Sequence, residues 1–269
     1  MLEILQFDFI QNAIIAGVLV SIIAGIIGSL IVVNRMVFLS GGIAHTSYGG
    51  IGLAVYFGFP IFLGASLFAI IAALLMAFIT LNNKDKLDIF IGLIWAVGMA
   101  IGIILIDITP GYNVDLMSYL FGSILAVSAF DIKFMIILLI TILFIIVKWY
   151  KDILAVSYDS QYASLRGINI KFFYTLILVI SSLAIVISIK VVGLILVIAL
   201  LTIPVYIAQS LSKSLLNMMF ISGILSTLST LIGLYFSYIY NLSSGATIIL
   251  VNALILGIFI IGQKIKKLI

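Results

Sequence analysis

Apolar residues in this chain come in successive runs of about twenty, separated by short polar punctuation rather than alternating with it. A helix rising 1.5 Å per residue needs about that many residues to cross a bilayer core of roughly 30 Å. Inside lipid the backbone must satisfy its own hydrogen bonds, so such runs predict helices and not isolated strands. The pattern predicts crossings near residues 9–33, 42–58, 61–81, 89–107, 132–148, 172–189, 191–209, 215–239 and 246–262. A shorter apolar piece at 116–127 is too short to cross and is expected as a re-entrant or surface helix.

The breaks between runs carry recognisable signals. Gly58 and Pro60 mark one tight turn, and Pro110-Gly111 marks another. A short charged turn falls at 81–88. The longest polar interval covers residues 149–171, and six of the chain's 22 Lys, Arg, Asp and Glu residues lie between Lys148 and Lys171. Within it, Ser157 or Asp159 can cap a short helix, with Gly167 just past its end and Arg166 at the negative pole of its dipole. No boundary between soluble domains is visible, so the expectation is one membrane domain over 1–269 with this interval as a loop inside it.

Composition agrees: 65% of the 269 residues are hydrophobic and 8% charged. An ordinary soluble domain carries about 25% charge. The expected class is an all-α polytopic membrane protein of about eight to nine transmembrane helices. The opening MLEILQFDF has two acids and no basic residue, so a cleaved signal peptide is not expected. With no Cys, disulfides and thiolate metal sites are excluded.

The net charge of +4 says less than its distribution. With nine crossings and the N-terminus outside, 11 of the 13 Lys and Arg residues fall on the cytoplasmic side, leaving only Lys133 and Lys190 outside. This orientation makes 149–171 and the C-terminus cytoplasmic. It places Asp107, Asp115 and Asp131 outside, where carboxylates can attract cations or meet basic residues of an external partner.

Candidate chemistry is sparse. The second run reads Ser40-Gly-Gly-Ile-Ala-His-Thr-Ser-Tyr-Gly-Gly-Ile-Gly-Leu-Ala54. Gly42, Thr46, Gly50, Ala54 and Gly58 recur every fourth position, one face of a helix. Such a face permits close helix packing, and the same small residues could border a translocation path. His45, the chain's one histidine, is placed near the cytoplasmic end of that run. An ionisable group there is a candidate functional site, though a lone His builds no closed metal site and suits only a transient cation contact. No phosphate-cradling GxxxxGK[ST] loop, HExxH or GxSxG occurs. No catalytic residue is expected, and ATP-driven work would require a separate subunit.

These stretches together resemble the membrane subunits of bacterial and archaeal ABC importers for zinc, manganese or iron. The resemblance runs nearly end to end. It rests on Ile31-Val-Val-Asn-Arg-Met-Val-Phe-Leu-Ser-Gly-Gly-Ile-Ala-His45 and the Gly-rich run after it, on Asp115-Leu-Met-Ser-Tyr-Leu-Phe-Gly-Ser-Ile-Leu125, on Val191-Val-Gly-Leu-Ile-Leu-Val-Ile-Ala-Leu-Leu-Thr-Ile-Pro204 and on Asn241-Leu-Ser-Ser-Gly-Ala246. Asp159, Ala163 and Gly167 match the family's coupling-helix pattern.

The resemblance implies a type II ABC importer permease-like fold and a homodimer around a central path. It also implies two ATPase subunits below, a periplasmic or extracellular metal-binding protein outside, membrane lipid around it, and no nucleic acid. The chain itself would bind no cofactor, the ATP being used by the partner subunit. Path residues would be Gly42, His45, Thr46 and Gly50; coupling residues Asp159, Ala163, Arg166 and Gly167; outer contacts Asp107 and Asp115. Many members carry Asp four residues before the His, a position that is Gly41 here, and some carry liganding His residues in a late span that this chain lacks. The Ser-Gly-Gly form is similar to the zinc branch, so zinc is the expected cargo, with manganese or iron as alternatives. A chelate importer, an ion-coupled secondary transporter and a membrane scaffold are the competing readings. A secondary transporter would need an ion gradient and no ATPase partner, and a scaffold would have no need of the cytoplasmic loop.

Overall fold

The computed structural model describes residues 7–82, 87–110, 121–194 and 197–268. Among these described residues the α-helices in chain order are α1 (Asp8–Val33), α2 (Val37–Phe57), α3 (Ile61–Asn82), α4 (Leu87–Asp107), α5 (Ala129–Tyr158), α6 (Ser160–Leu165), α7 (Ile170–Val192), α8 (Val197–Leu211), α9 (Leu215–Tyr240) and α10 (Ser244–Leu268). No strand occurs among the described residues. Seven of the helices are long and apolar enough to cross a membrane. The other two that match predicted crossings fall short for different reasons. α8 has only 15 residues, and α2 is diluted by its glycines and polar residues over 21.

One expectation is corrected. The interval 149–171 is mostly helix. α5 continues to Tyr158 through a kink at Trp149, whose φ of −119° and ψ of 23° leave the helical region. Lys148, Lys151 and Asp152 suggested a loop. The stretch beyond the kink is instead amphipathic, with Ile153 and Val156 buried three residues apart. Of the short helix expected at 116–127, residues 116–120 lie outside the described residues, and Ile124–Ala126 forms a 3-10 turn.

Chain contacts group into two compact units. The first comprises Met1–Val32, Met117–Ile142 and Ile187–Ile269; the second comprises Val33–Leu116 and Leu143–Val186. α5 and α7 therefore contribute residues to both.

In the first unit α1 meets α9 along a row of small and hydroxylic residues. A Cβ on Gly25 would strike the backbone of Gly223, so the two helices touch main chain to main chain. On either side of that contact, Ser21 donates to Thr230 Oγ1 at 2.9 Å, and Ser222 donates to the Gly25 carbonyl at 2.9 Å. Lipid offers no hydrophobic incentive for one apolar helix to choose another, so close approach and hydroxyl bonds select the pairing. A second close junction joins the 121–124 segment to the end of α7 and the start of α10. Gly122, at φ +74°, lies against Val192 and Gly193, and Ser123 N–H donates to the Lys190 carbonyl at 3.3 Å.

In the second unit α2 lies against α3 and α4. Gly50 abuts Gly64 of α3, where a Cβ would overlap the Gly64 carbonyl. Toward α4 the pairs rise together: Gly42 with Ile91, Gly49 with Gly98, Gly52 with Gly102. The matched increments make α2 and α4 parallel neighbours in fixed register. Gly58 closes α2 in the left-handed conformation, φ +73°, and its N–H donates to the Ala54 carbonyl.

Candidate functional site

The coupling candidates form one small, well-finished element. Asp159 is the N-cap of α6, and its Oδ1 accepts from the Tyr162 N–H at 2.9 Å. At the other end Gly167 has φ +73°. Gly167 N–H donates to the Ser164 carbonyl at 2.9 Å and Ile168 N–H to the Ala163 carbonyl at 3.0 Å. That crossed pair is the Schellman arrangement, which closes a helix through a left-handed C′ residue. Six residues make less than two turns, too few to hold together unaided, so α6 owes its persistence to its caps and to one anchor. The anchor is Ala163, fully buried.

Around that anchor α6 faces outward. Leu165 is 89% exposed, Tyr158 and Tyr162 are exposed as well, and the Arg166 guanidinium lies 5.6 Å from the Tyr162 ring centre. Exposed apolar side chains beside a cation are the composition of a protein contact surface rather than of a solvated connector. The base of the element is held by Trp149, edge-on to Phe172 and Phe173 at 6.5 Å, with the Lys148 ammonium 4.4 Å from the Trp149 ring.

The path candidates on α2 divide. Gly42 faces Met76 of α3 and Ile91 of α4, Gly50 faces α3, and Thr46 packs on Gly98 of α4. Thr46 Oγ1 donates to the Gly42 carbonyl at 2.6 Å and to the Ile94 carbonyl at 3.2 Å. These three residues are therefore committed to helix packing inside the second unit. His45 is not. Because α2 starts at Val37, it sits about 12 Å from the helix start, well inside the helix rather than at its end. Its ring stacks on Trp95 of α4, centroids 4.1 Å apart and planes within 14°. Its Nδ1 is buried and makes no hydrogen bond among the described residues.

Trp95 and its neighbour Met99, whose Sδ accepts from the indole Nε1–H at 3.1 Å, were not singled out from the sequence. A signal existed. The chain has only two Trp residues, and tryptophan favours membrane interfaces, so one placed mid-run in an apolar helix is out of its usual place.

The acids divide between the two units. Asp115 lies outside the described residues. Asp107 is exposed at the end of α4 in the second unit, whereas Asp131 belongs to the first. Asp131 is also occupied: it pairs with Lys190 and accepts from the Ser128 N–H at 2.8 Å and Oγ at 2.6 Å. Ser128 Oγ in turn accepts from the Asp131 N–H, a capping box at the start of α5. No cluster of three or more His, Asp or Glu that could hold a metal occurs among the described residues.

Apolar helices of membrane-crossing length, with one short helix capped at both ends, define a polytopic membrane protein. The ABC 3 transport family model matches residues 6–263, and the chain belongs to that family. It is 36% identical over 262 residues to the manganese transport system membrane protein MntC of Listeria monocytogenes, covering 97% of this chain and 93% of the relative. It is 33% identical over 263 residues to the manganese import system permease protein ScaB of Streptococcus parasanguinis, covering 97% and 94%. An uncharacterized membrane protein of Synechocystis is 46% identical over 254 residues, covering 94% and 90%. Among solved structures, PsaBC from Streptococcus pneumoniae in complex with Fab superposes with a TM-score of 0.85 at 32% identity, covering 94% of this chain and 91% of that one. A metal-chelate type ABC transporter in an inward-facing conformation shares the fold, with a TM-score of 0.71 at 17% identity over 94% and 85% of the two chains. The chain is thus the permease subunit of a metal ABC importer, not its ATPase.

Proposed function

We propose that this chain imports divalent manganese, as one of two copies around a central path. ATP would be hydrolysed by separate subunits docked on α6 and metal delivered by a binding protein on the opposite face. The observation that carries the reading is α6 itself: a helix capped at both ends, anchored by Ala163, that presents Leu165, Tyr162 and Arg166 outward. A rigid knob of this kind can be pushed without unfolding. α5 and α7, the helices flanking it, contribute residues to both units, which gives a displacement of α6 a continuous route through the chain.

Manganese replaces the zinc expected from the Ser-Gly-Gly form because the relatives MntC and ScaB are named for manganese transport. With Gly41 where many members have Asp, His45 is the one carried-over side-chain ligand on α2. A manganese ion prefers oxygen donors, so at His45 it would keep most of its waters. A single nitrogen with water is a contact for passage and not for storage.

The test is uptake into proteoliposomes holding this chain, its ATPase and its binding protein, with zinc and iron as competitors. ATP-dependent manganese uptake that resists excess zinc supports the reading. Uptake abolished by zinc would keep the machine and change the cargo. No ATP-dependent metal uptake by a demonstrably assembled complex would refute it and direct attention to a chelate.

A further inference from the structure

We propose that Trp95 is the positioning residue for His45. Its indole covers one face of the imidazole and fixes the ring plane, so that a passing divalent cation meets a nitrogen edge in a set orientation. This rests on the reading of His45 as a path contact.

The geometry is specific. A metal binds an imidazole in the ring plane, through a nitrogen lone pair, whereas the indole lies parallel to that plane at 4.1 Å and 14°. The stack restrains the ring without occupying its coordinating edges. Trp95 is itself restrained, because its Nε1–H donates to Met99 Sδ at 3.1 Å, one turn along α4. The platform and the ligand stand in fixed register. Thr46, next to His45, bonds the carbonyl of Ile94, next to Trp95, and Gly98 packs directly on Thr46.

One further observation and one electronic argument set this apart from ordinary packing. Burying a ring nitrogen without a hydrogen bond is unfavourable, and a structural histidine normally finds a partner for it. Nδ1 of His45 has none among the described residues, so the stack, not a hydrogen bond, orients this ring. A dication on the imidazole also withdraws electron density from it, and an electron-poor ring stacks more strongly on an electron-rich indole. The contact thus favours the metal-bound ring over the free one, as outer partners of metal ligands commonly do.

The chain's two tryptophans make the idea directly measurable. In a Trp149→Phe background, Trp95 is the sole indole. Manganese titrated into this full-length variant, purified without its ATPase, is expected to change Trp95 emission saturably, and His45→Gln should remove the response. In transport, Trp95→Phe keeps an aromatic face and should hold the manganese KM within about twofold, while Trp95→Leu should raise KM about tenfold with a smaller effect on kcat, in the range seen for outer partners of metal ligands. Met99→Leu should fall between them. Equal KM for the Phe and Leu variants, with His45→Gln impaired, overturns the positioning role and leaves His45 in the path. Unimpaired uptake by His45→Gln overturns the path reading itself. Should Trp95→Leu fail to assemble, the emission titration on the native indole decides: a folded single-tryptophan chain whose emission ignores manganese overturns the proposal.

Discussion

Removing both caps of α6 should uncouple ATP hydrolysis from transport while leaving the membrane helices in place. Asp159→Ala removes the acceptor of the Tyr162 N–H, a loss worth about 1 kcal/mol at a helix N-cap. Gly167→Ala places a Cβ on a residue at φ +73°, which costs about 1–2 kcal/mol for an L-residue. Nothing lies within 4 Å of a Cβ at Gly167, so the penalty is one of backbone conformation and not of collision. Together the two changes amount to roughly 2–3 kcal/mol, a factor of about 30 to 150 in the ratio of formed to unformed α6. Metal taken up per ATP hydrolysed should therefore fall steeply in the double variant. Asp159→Asn, which caps as well as Asp, should retain coupling. Amide hydrogen exchange at Tyr162 and Ile168, whose N–H groups make the two cap bonds, reports whether the helix has opened. Fast exchange at both amides together with wild-type uptake per ATP would refute the reasoning, because the machine would then be running without a rigid α6. Loss of coupling in Asp159→Asn as severe as in Asp159→Ala would show that the charge matters and the cap does not.

Gly50→Ala should destabilise the chain by about 1–3 kcal/mol, since its Cβ overlaps the Gly64 backbone, whereas Gly92→Ala on α4 meets nothing within 4 Å and should be neutral; thermal unfolding in detergent compares them, and equal melting temperatures would contradict the packing described. Asp131→Asn should lower stability by about 1–3 kcal/mol by stripping Lys190 of its charge partner and weakening the Ser128 cap, without changing metal affinity. A changed KM for manganese in that variant would return Asp131 to the cation contacts. Ser21→Ala and Thr230→Val should each have small effects and couple to one another by about 0.6 kcal/mol in a double-mutant cycle, the average for hydroxyl bonds between membrane helices.

Local features are legible in the sequence, and those that depend on register are not. Asp159 and Gly167 can be assigned as the ends of a helix from the amino-acid order alone, because caps act over three or four residues. The chemistry of a carboxylate acceptor and a left-handed glycine is written in the residues themselves. The nine long apolar segments are equally plain. The end of α5 is not, because Lys148, Lys151 and Asp152 look like a loop until Ile153 and Val156 are seen to turn inward beyond the kink at Trp149. Asp131 is visible as an acid, and the Ser128 capping box is available at short range, but its pairing with Lys190, 59 positions away, is beyond any local rule.

His45 and Trp95 show most clearly where the limit falls. Each can be noticed alone, one as the single histidine and the other as a tryptophan away from an interface. Their meeting depends on α2 and α4 being parallel and in the one register that pairs Gly42 with Ile91, Gly49 with Gly98 and Gly52 with Gly102. A slide of one residue along either helix would bring a Cβ into the opposing backbone at several of these points and carry Trp95 off the imidazole face. Gly42, read from the sequence as a path residue, works here with Gly49 and Gly52 in helix packing. They lock two helices so closely that a histidine and an indole, fifty positions apart, are held ring to ring.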